Sequence, residues 1–141
     1  MRNQNIVAVH LFFLRGAQIL LLRRFNTGYE DGKYSVVAGH VEAGETVTQA
    51  ALREAKEEVG VSLKMDDLEV VHVMHRKSSD ERIDFFMAVT RWGNDITNCE
   101  PEKCDELTWY PVSELPEDVI PYVRHAIEGY QKGIHYSEFG W

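Results

Sequence analysis

Cysteine and long apolar runs are both scarce in this chain. Cys99 and Cys104 are the only cysteines among 141 residues. They are too few for a disulfide framework, and their spacing, with no His pair nearby, excludes a zinc site. No apolar stretch approaches the roughly 20 residues that span a bilayer. Nothing near Met1 reads as a charged start followed by an apolar core, so no secretory leader is expected. The expected setting is cytoplasmic, with both thiols reduced and no membrane partner. Positive charge is also in deficit: 15 Lys and Arg face 23 Asp and Glu, a formal net charge of −8. Such a surface opposes polyanions, which argues against a nucleic-acid polymer as partner. If the partner is a smaller phosphate compound, a cation has to bridge it. The GxGxxG, P-loop, GxSxG and HExxH patterns are all missing, which removes dinucleotide-fold, kinase-like, serine hydrolase and zincin readings.

What is present suits one folded domain over residues 1–141. Hydrophobic residues make up 44% of the chain, and this length buries roughly two-thirds of its unfolded surface. Two β-rich runs, 6–14 and 18–24, flank Arg15-Gly16-Ala17 and read as a hairpin. A turn-rich loop, 26–32, leads to a short strand, Tyr34 to Ala38, that ends at Gly39. A second loop, 40–45, enters a helix marked by a capping box at Thr46 and Gln49 and a glycine stop at Gly60. Val47, Ala51, Leu52, Ala55 and Val59 give that helix one apolar stripe. Two strands follow at 68–75 and 82–92, then an irregular stretch and a short strand near 108–112. A last helix carries Ile120, Val123, Ile127 and Tyr130 at helical spacing and stops at Gly133. The aromatic tail, 136–141, is expected to pack on a partner copy or on its own domain, so monomer and homodimer both stay open. Strands interrupted by two helices predict an α/β fold with a mixed sheet between helices.

The chemistry concentrates between Gly39 and Val61. Glu54, Glu57 and Glu58 stand at i, i+3 and i+4, so their carboxylates share one helix face. Glu54 and Glu58 repel, and Glu57 and Glu58 occupy the last turn, where the helix dipole disfavours negative charge. Together these cost about 1 kcal/mol. A solvated acidic face with Arg53 and Lys56 as counter-charges would explain the composition alone. It does not explain why three acids abut an Ala and Val stripe. A hard divalent cation removes the repulsion, and Mg²⁺ in particular binds through few carboxylates plus substrate phosphates.

The segment reads Gly39, five residues, Glu45, seven residues, then Arg53-Glu54-Ala55-Lys56-Glu57-Glu58-Val59-Gly60-Val61. It resembles the Nudix box, G-x5-E-x7-R-E-U-x-E-E-x-G-U with U aliphatic, at every fixed position, Ala55 being a small residue for its slot. Outside this box, residues 39–61, the similarity to small MutT-like members is one of pattern and size. The resemblance implies the Nudix fold and Mg²⁺-dependent hydrolysis, with Mn²⁺ as a substitute, of a nucleoside diphosphate linked to another moiety. The first substrate it implies is a (deoxy)nucleoside triphosphate, split to monophosphate and pyrophosphate. ADP-ribose, nucleotide sugars and a non-catalytic nucleotide-sensing module are the alternatives, the last expected to have lost box acids that are all present here.

The resemblance also assigns residues. Glu57 and Glu58 become the main metal carboxylates, Glu54 a further ligand or the base, and Gly39 a backbone approach to metal or phosphate. Arg53 orients a glutamate, and Glu45 and Gly60 are structural. Arg23 and Arg24 end a strand where family members carry a phosphate-contacting arginine; strand alternation allows one of the two into the site. A loop acid before the last strand completes the site, with Glu102 favoured slightly over Glu100. Tyr34, Phe85, Phe86 and Trp109 are aromatic candidates for stacking on a base, at most one of them in that role. Asn98 and Asp105 are polar candidates for reading its edge. His72 and His75 are expected to face opposite ways and not to share a metal, and His40, beside Gly39, is either a phosphate contact or an ordinary loop histidine.

Overall fold

The structure, a computed structural model, describes residues 1–141. Its elements run β1 (Ile6–Arg15), β2 (Gln18–Arg24), β3 (Tyr34–Ser35), β4 (Val37–His40), α1 (Val47–Val59), β5 (Leu68–Lys77), β6 (Glu81–Val89), β7 (Cys104–Pro111), α2 (Pro121–Gln131) and β8 (Tyr136–Phe139). A single 3-10 turn, Met65–Asp67, precedes β5. No helix is long and apolar enough to cross a membrane.

Strand β1 is the hub. Residues Ala8 to Leu11 pair antiparallel with β4, while Ile6 to Phe13 pair in parallel with β6. Its last residues turn at Gly16, which has φ +58°, into β2. One mixed sheet therefore runs β4–β1–β6–β5–β8, and the hairpin joins it to an antiparallel trio, β3–β2–β7. Side-chain alternation along β1 then divides the core in two. Val9, Leu11 and Phe13 pack with Ala50, Ala51, Ala55 and Val59 of α1. Phe12 packs with Phe86 and with Val123, Ala126 and Ile127 of α2. The mixed sheet lies between two helices, as the sequence pattern predicts.

Helix α1 begins and ends where its signals place it. Thr46 accepts from the Gln49 N–H, Gln49 reaches back to the Thr46 N–H, and Gly60 closes the helix at φ 70°. Its buried stripe is rotated from the expected one. Ala50 is fully buried and Leu52 only half-buried, because alanines at 50, 51 and 55 let the helix lie close against the sheet.

Strand β5 runs on to Lys77 and β6 stops at Val89, short of Trp92, and three further differences affect the topology. The strand from Tyr34 breaks at Val36 into β3 and β4, one for each sheet. Strand β7 starts at Cys104, earlier than composition indicates, because β2 extends its ladder to Arg24↔Cys104. The tail forms β8, parallel to β5, and Trp141 packs on the His75 ring and the Lys77 ammonium. Four residues, Tyr136 to Phe139, carry too weak an alternation to announce a strand without their neighbour. His72 and His75 do face opposite ways: His72 is buried against Ile134 O and Ser137, and His75 lies under Trp141.

One buried polar network crosses three strands. Asp84, fully buried, takes Arg76 Nε at 2.7 Å and His10 Nε2 at 3.0 Å. The His10 and Arg76 partners hold its carboxyl down at about 2 despite burial, which alone would raise it. Asp84 thus contributes stability above pH 4, and loses it as pH falls through its depressed native value. We expect denaturant midpoints to fall between pH 5 and pH 2 by an Asp84 contribution of about 2 kcal/mol. An Asp84→Asn variant should be several kcal/mol less stable at pH 7, because it strands Arg76, and should lose less on acidification. Equal acid sensitivity in the two proteins would refute the assignment.

Candidate active site

The site is built where β4 meets the last turns of α1. Arg53 is its organiser. Its Nε and Nη2 donate to the two Glu45 oxygens at 2.8 and 2.9 Å, and Nη2 also reaches the His40 carbonyl at 3.0 Å. Its Nη1 donates to Glu54 Oε1 at 2.7 Å, with Glu57 Oε2 at 3.4 Å. Glu45 also accepts from the Glu42 N–H. Arg53 and that N–H together depress its carboxyl to about 2. Glu45 therefore ties the loop before α1 to the helix and stays out of the cleft. Gly39 is required by close approach: a Cβ there would overlap the Glu54 carboxylate.

Glu54, Glu57, Glu58 and Glu100 line one cleft of about 450 Å³, together with Arg24 and Asn98. Glu57 stands at the exposed mouth. Glu58 is half-buried and takes the Ala38 N–H at 3.2 Å. Its carboxyl is pushed well above the usual range, first by desolvation, then by the Glu54 carboxyl against it and the charges of Glu54 and Glu100. Burial likewise raises Glu100, with Glu54, Glu102 and Glu57 adding repulsion and Lys103 opposing it.

No three His, Cys, Asp or Glu side chains converge as a finished metal cage. The donor set nonetheless fits Mg²⁺ or Mn²⁺. Magnesium keeps several waters and takes one or two carboxylates plus substrate oxygens, whereas a closed protein cage is the habit of other ions. Glu57 and Glu58, which both line the cleft, would serve as such carboxylates.

Several expected residues lie elsewhere. Arg24 lines the cleft, held by Tyr29 O and Thr27 Oγ1. Arg23 does not: it forks onto Asp105 at 2.8 and 2.9 Å, which also occupies Asp105. Tyr34 is buried and donates to Glu106 at 2.7 Å, so it offers no stacking face. Phe86 is fully buried in the core, Trp109 stacks on Trp92, and neither these two nor Phe85 lines the cleft. The preference for Glu102 is corrected: Glu100 is half-buried in the cleft wall and Glu102 is exposed on the following turn. Asn98 shapes that turn, donating to Cys104 O and accepting from the Glu100 N–H. Sequence reasoning missed Asn26, Thr27 and Lys103, which also line the cleft. Loop residues of ordinary type carry no periodic signal, and only the fold brings these loops to α1.

Comparison with known proteins bears on the family and the fold. The family model described as NUDIX domain matches residues 4–129. A putative nudix hydrolase 1 of Caenorhabditis elegans is 34% identical over 121 residues, 84% of this chain and 32% of that protein. The NAD-capped RNA hydrolase NudC of Citrobacter koseri is 33% identical over 103 residues, 73% of this chain and 38% of its own length. The chain thus spans about a third of these curated relatives. In fold it is similar to a MutT NUDIX hydrolase of Burkholderia pseudomallei, with a TM-score of 0.81 and 23% identity. That likeness covers 89% of this chain and 97% of the other. The Escherichia coli ORF135 protein gives a TM-score of 0.78 at 22% identity, covering 92% and 91%.

A Gly39→Ala variant tests the cradle. The overlapping atoms belong to the flexible end of Glu54, so the helix can stay and the carboxylate must move. We expect a Tm within about 3 °C of wild type and Mn²⁺ affinity, by calorimetry, weaker by about ten-fold. Unchanged metal affinity would show that Glu54 needs no such placement.

Proposed function

The chain belongs to the NUDIX domain family, and from that membership we propose that it is a divalent-cation-dependent hydrolase of a nucleoside diphosphate linked to another moiety. The single observation that carries this reading is the joining of Glu54, Glu57, Glu58 and Glu100 in one cleft with Arg24. In a chain of net charge −8, that cleft repels a bare diphosphate and accepts one with its cation.

A divalent cation, when bound, supplies neutralisation of the diphosphate oxygens and a more acidic attacking water. The protein's residues do the rest by position and proton transfer. Glu57 and Glu58 would hold that cation. Arg24, free of any carboxylate partner, meets the phosphate oxygens. Glu54, oriented by Arg53, and Glu100, raised by burial, are the two carboxylates for the proton of the attacking water. A raised carboxylate holds that proton more tightly than an ordinary one, which suits Glu100 to the role of base. A (deoxy)nucleoside triphosphate, giving monophosphate and pyrophosphate, is the substrate we infer first. A second reading, cleavage of a dinucleotide, draws on the relatives named NAD-capped RNA hydrolase.

A panel of nucleoside triphosphates, ADP-ribose, NAD⁺ and UDP-glucose, with products identified, tests the proposal. Hydrolysis should require Mg²⁺ or Mn²⁺, and no turnover of any member with either ion would sink it. Glu57→Gln should lower kcat/KM by at least about 100-fold with little change in stability, since its contact with Arg53 is long and exposed. Glu100→Gln should lower kcat/KM more than Glu102→Gln does, and equal losses in the two variants would exclude Glu100 as the base.

A further inference from the structure

A second cavity, of about 370 Å³, lies beyond Arg24 and Ala38, which it shares with the acidic cleft. Its chemistry is the reverse. Arg24, Arg76, Arg82, His10 and His40 line it, and no carboxylate does. Asp84 is fully buried beneath Arg76, and Asp80 holds Arg82 through Nε at 2.7 Å. In a protein with eight more acids than bases, such segregation of sign marks a surface that meets negative charge.

Arg76 is the most constrained group there. It is 4% exposed, gives Nε and Nη2 to Asp84 at 2.7 and 3.3 Å, and lies 3.7 Å over the Tyr122 ring. Its Nη1 has no protein partner and, unlike His10 Nδ1, is not sealed off from solvent. Replacing a buried ion pair by apolar groups is often neutral or stabilising, so stability alone does not account for this network. It holds one guanidinium rigidly with one nitrogen left over. The hydroxyls of Ser78 and Ser79, both exposed, stand on the same wall. Tyr29, whose ring faces Arg24, and Tyr122 supply aromatic surface.

We propose that this cavity is a subsite for an anionic group, a phosphate or a carboxylate, that the substrate carries on a moiety remote from its scissile diphosphate, with Arg76 as the residue that reads it. The inference deepens the hydrolase reading and rests on it. Arg24 then marks the crossing point: the diphosphate lies with its cation on the acidic side, and the distal group reaches past Arg24 to Arg76. A fixed guanidinium discriminates because a neutral group leaves its nitrogen unpaired.

Matched pairs test this by calorimetry, with Ca²⁺ in place of Mg²⁺ to suppress turnover. ADP-ribose against its 2′-phosphate probes phosphate, and UDP-glucose against UDP-glucuronate probes carboxylate. The anionic member of at least one pair should bind about ten-fold tighter, and Arg76→Lys, which keeps a cation beside Asp84, should bring that ratio below about three. Ratios within two-fold for both pairs in the wild-type protein would overturn the proposal, and that comparison needs no variant to fold. A ratio that survives Arg76→Lys would overturn the role of Arg76. Because these are binding ratios, a failure of the nucleotide panel to turn over remains a separate result.

Discussion

The arrangement depends on the fork of Arg53. One planar guanidinium holds both oxygens of Glu45, one of Glu54 and the carbonyl of His40. It thereby joins the end of β4, the entry loop and the middle of α1 in one geometry. A lysine could not do this, since a point charge has no fork. Without the fork, Glu54 and Glu58 would separate along their i, i+4 repulsion, and the cleft would lose its shape. The capping box at Thr46 serves the same end by setting where the helix starts, and so which residues arrive opposite Gly39.

Around this anchor the two faces of β4 carry opposite chemistry. On the α1 side, four glutamates gather and raise Glu58 and Glu100. On the other side, Asp84 is withdrawn under the sheet and arginines line the wall. Arg24 stands between them, held by the loop that Asp31 organises through Thr27 and Gly28. A ligand with separated negative groups, one of them met with a cation, matches that division better than a neutral one.

The acidic face of α1 was legible because its residues are local. Glu54, Glu57 and Glu58 share a helix, and helical spacing tells which side chains meet. Arg24 and Arg23 were legible as a pair but not as individuals. The ladder of β2 with β7 skips Asp105 between Arg23↔Glu106 and Arg24↔Cys104, and Asp105 is then the partner that takes Arg23. Glu100 and Glu102 were likewise inseparable by composition, since a turn at 101–103 decides which one faces the cleft. Tyr34 misled because an aromatic beside a turn can stack or pack, and its own burial with a hydrogen bond to Glu106 settled it.

By itself the amino-acid order determined the hairpin at Gly16, the limits of α1, the family box from Gly39 to Val61 and the carboxylate face of the helix. Each of these rests on interactions spanning a few residues, where backbone geometry alone sets the neighbours. Tertiary structure alone decided the strand at 136–139, the choice of Glu100, and the network of His10, Asp84 and Arg76. Those residues lie far apart in the chain, and only the parallel pairing of β1 with β6 and the antiparallel pairing of β5 with β6 set them side by side.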